Sequence, residues 1–449
     1  MVTRRVTIRR VLVALVALAA APWLFSDTFA RYRSASREGD GRLRFAYWGG
    51  YDDHLMWGKI VEAFHAAEPS IRIKREWLPL WGYVTKLDQQ FLADEAPDIM
   101  MFQDEPFPRY APEQFADIEP FLAADPLTRL WLDDCWPTAA ASFQFAGRLR
   151  GMPIMGGNVL IYCNLDGLEL AEKVRGQAIR IPKGGWTLEE FLELCRRLTI
   201  DVDGDGRTDQ FGLLQPHWVY YLPLLWSHGA DLMDESRSRW TLQGPAAGAA
   251  FQTYADLRHR WAVSPVPIQY AGQNSDTAFL SGRVCMCLNG PWFQAFLRET
   301  RLRDRYAVLQ IPAGPGGSTT RVTWDALCIY AKSPPKRQAD AWRFLRFVLS
   351  VESQSVVAAH QRAIPARRSA AEAFVQFGGG PDSPSAEFIE AMGSARLQPI
   401  TPAWMAIGRS MSRAMNSLIL DGPGRKSPEQ ALAELASDPV VIHSFGASP

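Results

Sequence analysis

The sequence predicts an α/β protein of two lobes joined by extended crossings, and three stretches carry that reading. From Leu43 the residues LRFAYW form a strand that stops at the pair Gly49-Gly50, a helix follows from about His54 to Ala67, and Ile71-Arg72-Ile73-Lys74 alternates as a second strand. Such a strand–helix–strand unit implies a right-handed parallel crossover. Phe279 to Trp292, FLSGRVCMCLNGPW, places a short unbroken apolar strand directly before a helix start, with Asn289 as its expected cap and Pro291 in the first turn. Arg150 to Asn164, RGMPIMGGNVLIYCN, is extended but interrupted by Pro153 and Gly156-Gly157, the pattern expected of a strand that crosses between lobes.

The remaining elements follow in order. Trp81 to Ala93 reads as a helix, and Ile99-Met100-Met101-Phe102 as a fully apolar strand with Gln103, Asp104 and Glu105 at its carboxyl end. Thr187 caps a helix that carries Leu188, Phe191, Leu192, Cys195 and Leu198 on one stripe. Phe211 to Leu214 is strand-like, and Gln215-Pro216-His217-Trp218 turns into a helix with Tyr220, Tyr221 and Trp226. A helix from Pro245 to Arg260, strands at Tyr306–Ile311 and Trp324–Tyr330, a second glycine-rich crossing at 314–317, and helices at Arg337–Leu349 and from Trp404 to Leu420 complete the pattern. In an open α/β sheet a ligand binds beyond the carboxyl ends of the strands, which puts Trp292 in view, although the same residues describe a corner with a core Trp.

Composition narrows the function classes. At 449 residues the chain can bury two cores. Lys+Arg and Asp+Glu each number 48, so there is no basic footprint for nucleic acid. Sixteen Trp and twelve Tyr suit stacking on flat apolar faces as well as large cores. The six cysteines lack CxxC or zinc spacing, and read as core residues.

Arg4, Arg5, Arg9 and Arg10 precede the apolar run Val11–Phe25, and Thr28-Phe29-Ala30 offers a cleavage point. This predicts an export signal in preference to a permanent anchor, since the run is shorter than the ~20 residues a spanning helix needs. Thr3-Arg4-Arg5 resembles a twin-arginine signal, with Thr7 as a departure. Residues 31–41 read as a polar linker.

Asp201-Val-Asp203-Gly-Asp205-Gly206-Arg207-Thr-Asp209 is the most specific local motif. A calcium loop needs oxygens at positions one, three and five, a turn Gly at six, a backbone carbonyl at seven and another oxygen at nine. Asp201, Asp203, Asp205, Arg207 and Asp209 fill those ligand positions, while Gly212 stands where an EF-hand has its bidentate Glu. The expectation is one structural calcium ion in a truncated loop; an Asx-rich surface turn is the alternative.

Taken together, AYWGG with AFHAAEPSIRI, APDIMMF followed by YAP, GGWTLEEFLELCRRLT with DGDGRTDQFGL, FLSGRVCMCLNGPW, IPAGPGG and YAKSPPKRQADAWRFLRFVLS resemble the solute-binding proteins of ABC importers, in their sugar-binding, maltose-binding-protein-like branch. The resemblance spans roughly residues 43 to 435. It implies a two-lobed periplasmic-binding-protein fold, with hinge-linked parallel-sheet lobes covered by helices on both faces. Residues 1–40 would be export signal and linker, 41–155 with 313–352 the first lobe, and 156–312 with 353–449 the second. It further implies that a sugar stacks on Trp292 and Trp404 and meets Trp48, Asp104, Glu105 and His217, and that a monomer delivers it to permease subunits. The branch's maltose binder has Trp where Phe102 stands and Pro-Tyr where Pro216-His217 stand, so the sugar need not be maltose. No cysteine follows the apolar run, which argues against a lipid anchor.

Two other classes remain. An exported carbohydrate-active enzyme would need paired carboxylates, and Asp104 and Glu105, adjacent on a strand, point to opposite faces. A binder of a phosphorylated polyol such as glycerol phosphate would need converging cations, for which Arg321, Arg362 and Arg367 are the candidates.

Overall fold

The period-2 and apolar runs become two sheets in the computed structural model, which describes residues 41–110, 113–265 and 275–445; the expected signal and linker, residues 1–40, lie outside the described residues. In chain order the strands are β1 (Leu43–Trp48), β2 (Ile73–Leu78), β3 (Ile99–Gln103), the short pair β4 (Gln144–Phe145) and β5 (Arg148–Leu149), β6 (Met152–Asn158), β7 (Leu160–Asn164), β8 (Phe211–Leu213), β9 (Val284–Asn289), β10 (Tyr306–Leu309), β11 (Thr320–Ile329), β12 (Ile364–Pro365) and β13 (Ala395–Leu397). The large sheet runs β12-β6-β11-β3-β1-β2 with β13 added to β11, and the small sheet runs β10-β7-β9-β8. They form the cores of two lobes.

Parallel pairing holds for β1 with β2 and β3, and for β8 with β9. The short β13 also runs parallel to β11; β11, re-entering the large sheet from the other lobe, is antiparallel to both β3 and β6, and in the small sheet β7 is antiparallel to β9 and β10. The local signals explain the helices. Asp52 and Asp53 lie in the first turn of Tyr51–Ala67, the favourable end for negative charge. Thr187 and Glu190 close a reciprocal capping box on Leu188–Leu198, as its sequence predicts. One apolar core extends through both sheets, and a second joins helices Leu222–Ser227, Gly244–His259, Trp404–Leu418 and Pro428–Ala436 beside the small sheet.

The crossings differ from the expectation. Gly156 and Gly157 do not break the strand: they stay paired with Trp324 and Thr323 of β11. Glycine is needed because rings lie against the backbone. A Cβ on Gly156 would come 2.4 Å from the Trp324 ring, and one on Gly157 would come 2.7 Å from Pro291. The chain changes sheets at Val159, between β6 and β7. Likewise Gly314 and Gly316 stay in the second lobe, packed on the carbonyls of Ser227 and Trp226, and the return crossing lies between Gly317 and Thr320. The two crossings touch: Val159 N donates to Arg321 O at 3.0 Å, and Thr320 Oγ1 donates to Val159 O. The segment after 352, assigned from sequence to the second lobe, begins in the first. Helix Val351–His360 packs on Tyr51–Ala67, and β12 pairs with Met155 and Gly156.

Candidate functional site

The carboxyl end of β1 turns into its helix through Gly49, whose φ of +147° suits glycine alone. A Cβ there would lie 2.2 Å from Asp53 Oδ2, and without one Asp53 folds back to accept from Gly50 N at 2.6 Å. Trp48 does not reach solvent as a ligand-facing ring would. It is 4% exposed and packs against Tyr83 with ring centroids 5.1 Å apart.

At the end of β3, Asp104 is fully buried and its oxygens are already engaged. Thr323 Oγ1 donates to it at 2.7 Å, Trp324 N at 3.2 Å and Gln398 Nε2 at 3.3 Å. Burial pushes its carboxyl up to about 7, offset in part by Arg321 and these donors. Glu105 is ion-paired with Arg321, whose Nε donates to Gln398 Oε1 at 2.7 Å. The acceptors expected to be free at Asp104 are thus occupied, and of the two carboxylates Glu105 is the more exposed. Arg362 pairs with Asp53 and Arg367 with Asp134, so the three arginines do not converge on an anion site.

On the second lobe, β9 ends at Asn289. This residue does not cap the following helix, since its Oδ1 accepts only from Gly290 N at 2.9 Å and the helix starts at Trp292 without a side-chain cap. Trp292 is half-buried, and its ring lies so close over Gly290 that a Cβ there would meet it at 2.3 Å. His217 is exposed, with its ring 5.5 Å from that of Tyr220. The protein atoms crowding His217 still depress its basicity, against the opposing pull of Asp276. Tyr220 is half-buried, and its hydroxyl has Arg321, Asp276 and Glu105 as charged neighbours. Trp404, expected beside Trp292, is 0% exposed inside the helical core. Of the expected site residues, His217 is exposed and Trp292 and Glu105 are partly exposed, whereas Trp48, Asp104 and Trp404 are buried.

Sequence reasoning did not single out Tyr220, Gln398 or Asp325 as site residues. Asp325 was legible as a lone carboxylate in the apolar strand WDALCIY. Opposite Gln103 on β3, its carboxyl is pushed well up by burial and by Asp104. Nothing in the sequence marks Gln398, which joins the site through β13 pairing on β11.

In the aspartate loop, carboxylate oxygens of Asp201, Asp203 and Asp209 lie within 4.8 Å of one another. Asp205 stands outside that group and accepts from Arg207 N at 2.8 Å. Asp201 accepts from Gly204 N and Gly206 N, both at 2.8 Å, which lowers its pKa. Gly212 is a packing residue of β8, where a Cβ would lie 2.0 Å from Cys195 O.

Two sheets, one to each lobe, are joined by two crossings that touch. Residues 59–383 match the bacterial extracellular solute-binding proteins. The chain belongs to that family. A putative binding protein of Brucella abortus (strain 2308) is 24% identical over 84% of this chain and 87% of its own. Among solved structures, the ABC substrate-binding protein of Listeria monocytogenes in complex with cycloalternan superposes with a TM-score of 0.78 at 18% identity, covering 91% of this chain and 99% of that one. A Mycobacterium tuberculosis protein in complex with glycerophosphocholine reaches 0.73 at 18% identity over 89% and 97%. These likenesses establish the two-lobed fold of this solute-binding protein. No helix among the described residues is long and apolar enough to cross a membrane.

Proposed function

We propose that this solute-binding protein captures a carbohydrate between its lobes and, as an exported monomer, delivers it to the permease subunits of an ABC importer. The observation that carries the reading is Tyr220. This half-buried ring of the second lobe has Asp276 of its own lobe and Glu105 and Arg321 of the first as charged neighbours. A pyranose held here would lay an apolar face on Trp292 or Tyr220 and its hydroxyls on acceptors across the cleft. A solute bound by both lobes favours the closed arrangement, in which both contacts exist. A thermal-shift screen of mono-, di- and oligosaccharides and polyols tests this, since a ligand of the folded state raises Tm by mass action. A screen in which no carbohydrate moves Tm sinks it.

The enzymatic alternative is disfavoured by the engagement of Asp104 and Glu105 with protein donors; incubation of candidate sugars, followed by analysis for products, separates the two. The phosphorylated-polyol reading meets guanidinium groups that are already paired with carboxylates, and glycerol phosphate belongs in the same screen. Cell fractionation locates the mature chain: recovery only from detergent-extracted membranes would mean that the N-terminal segment is kept as an anchor. Separately, the 201–209 loop is proposed to hold one calcium ion through Asp201, Asp203 and Asp209. Calcium should then raise Tm and a chelator lower it, and no heat on calcium titration would leave the loop a plain surface turn.

A further inference from the structure

Most indoles of this chain are covered, and one is not. Among the tryptophans whose side chains the structure describes, Trp77 is the most exposed, at 39%, and the nearby Tyr51 reaches 66%. Trp77 is the next-to-last residue of β2, and Tyr51 is the first residue of the helix that follows β1. These strands run parallel, with Tyr47 opposite Trp77 and Trp48 opposite Leu78. Both exposed rings therefore stand at the carboxyl ends of adjacent parallel strands, the end of an open α/β sheet where ligands bind. Leu55, one turn on from Tyr51, and Leu80, which opens the helix after β2, are exposed at the same end. Large apolar groups gathered in one exposed patch mark a binding surface, as singly scattered ones do not.

The rings are fixed in place. Trp77 Nε1 donates to Gly49 O at 2.9 Å, the carbonyl of the glycine that turns β1 into its helix. The Tyr47 hydroxyl and His54 Nδ1 are hydrogen-bonded at 2.9 Å, and the His54 ring lies 4.8 Å from that of Trp77 and 6.5 Å from that of Tyr51, inclined by 33° and 27°. An indole pinned by a hydrogen bond and a flanking ring has given up rotamer freedom before any ligand arrives, which lowers the entropic cost of stacking on it. With Nε1 turned inward, what Trp77 offers outward is apolar. The exposed carboxylate of Asp52 follows Tyr51. Flat rings beside an acceptor match the C–H face and rim hydroxyls of a pyranose.

Strand order adds a length. In the large sheet β1 lies between β2 and β3, so Trp77 is two strand spacings, about 9–10 Å, across the sheet from the end of β3, where Glu105 follows. One pyranose ring is too short to touch both, and linked rings are long enough.

We propose that Tyr51 and Trp77 form an outer platform for the distal ring of a linear oligosaccharide whose first ring lies near Glu105, so that the preferred solute is an oligosaccharide and not a monosaccharide. The inference rests on the carbohydrate reading above and adds chain length to it. Calorimetry with malto-, cello-, manno- and xylo-oligosaccharides of one to four rings tests it. In a series that binds, affinity should rise at least about tenfold between the shortest and the longest members, the size expected of one stacked aromatic. Tyr51→Ala with Trp77→Ala should shrink that rise to within about threefold and leave the shortest binder's affinity in place, and Tyr51→Phe with Trp77→Phe, which keeps flat faces, should restore it. Should the Trp77 change unfold the protein by freeing Gly49 O, Tyr51→Ala alone should still lose part of the rise, since that ring sits exposed at a helix start. Binding confined to single rings, equal affinity along a bound series, or truncated variants that keep the full rise overturn the platform and leave the carbohydrate reading intact. Absence of binding by every member of every series overturns both.

Discussion

Two corners of the molecule use the same ingredients and reach opposite ends. In the first lobe YWGGYD carries β1 into a helix, and in the second LNGPWF carries β9 into a helix; each has a Trp within two residues of a glycine at the carboxyl end of a strand. Trp48 precedes its glycine and is the last residue of the strand, so the pleat turns it inward under Tyr83. Trp292 follows its glycine as the first helical residue, and its half-buried ring lies back over Gly290. The order of aromatic and glycine around the turn decides whether the indole serves the core or the rim.

The contrast can be broken by truncation. Trp48→Ala leaves a cavity and should lower unfolding free energy by about 3–5 kcal/mol, read by chemical denaturation, with affinity altered only through the fold. Trp292→Ala should cost about 1 kcal/mol of stability or less but weaken the best carbohydrate ligand on the order of 10²-fold, measured by calorimetry. Equal stability losses at the two positions would erase the distinction. Gly49→Ala should cost about 1–3 kcal/mol, because its φ and the neighbouring Asp53 carboxyl both exclude a Cβ; Gly290→Ala should instead push the Trp292 ring aside and cost affinity.

A further difference lies in pH. The folded state holds Asp104's proton more tightly than the unfolded chain does, so the stability this group contributes is fully present below about pH 4 and is lost as pH rises through about 7. Its slope is bounded at about 1.4 kcal/mol per pH unit. Asp104→Asn should flatten the stability profile in that window. His217, at the other rim, has its pKa lowered, so its contribution runs the other way and is lost as pH falls below the ordinary imidazole range. An Asp104→Asn profile that parallels the native one would remove the carboxyl from the account.

Much of the fold was legible, because strands and helices announce themselves locally: the apolar run of β9, the Thr187–Glu190 box and the helix over 335–348 follow from adjacent residues. The exposure of the candidate site residues was half legible. Trp292 and His217 sit in turns that sequence can locate, but the burial of Trp404 depends on the helices Gly244–His259 and Leu222–Ser227 closing over it, a long-range fact. Gly156-Gly157 read as a break because glycine weakens a strand; the rings of Trp324 and Trp292 that require glycine there come from over a hundred residues away. Asp104 likewise looked like a free acceptor until β11 and Gln398 were seen to supply its donors.

The contact between Thr320 and Val159 has a mechanical meaning. Two separate tethers would let the lobes slide, splay and twist independently, but here one hydroxyl and one amide stitch the tethers side by side where both change sheets. The joint then has the form of a short torsion bar, stiff to shear and soft to rotation about its own length.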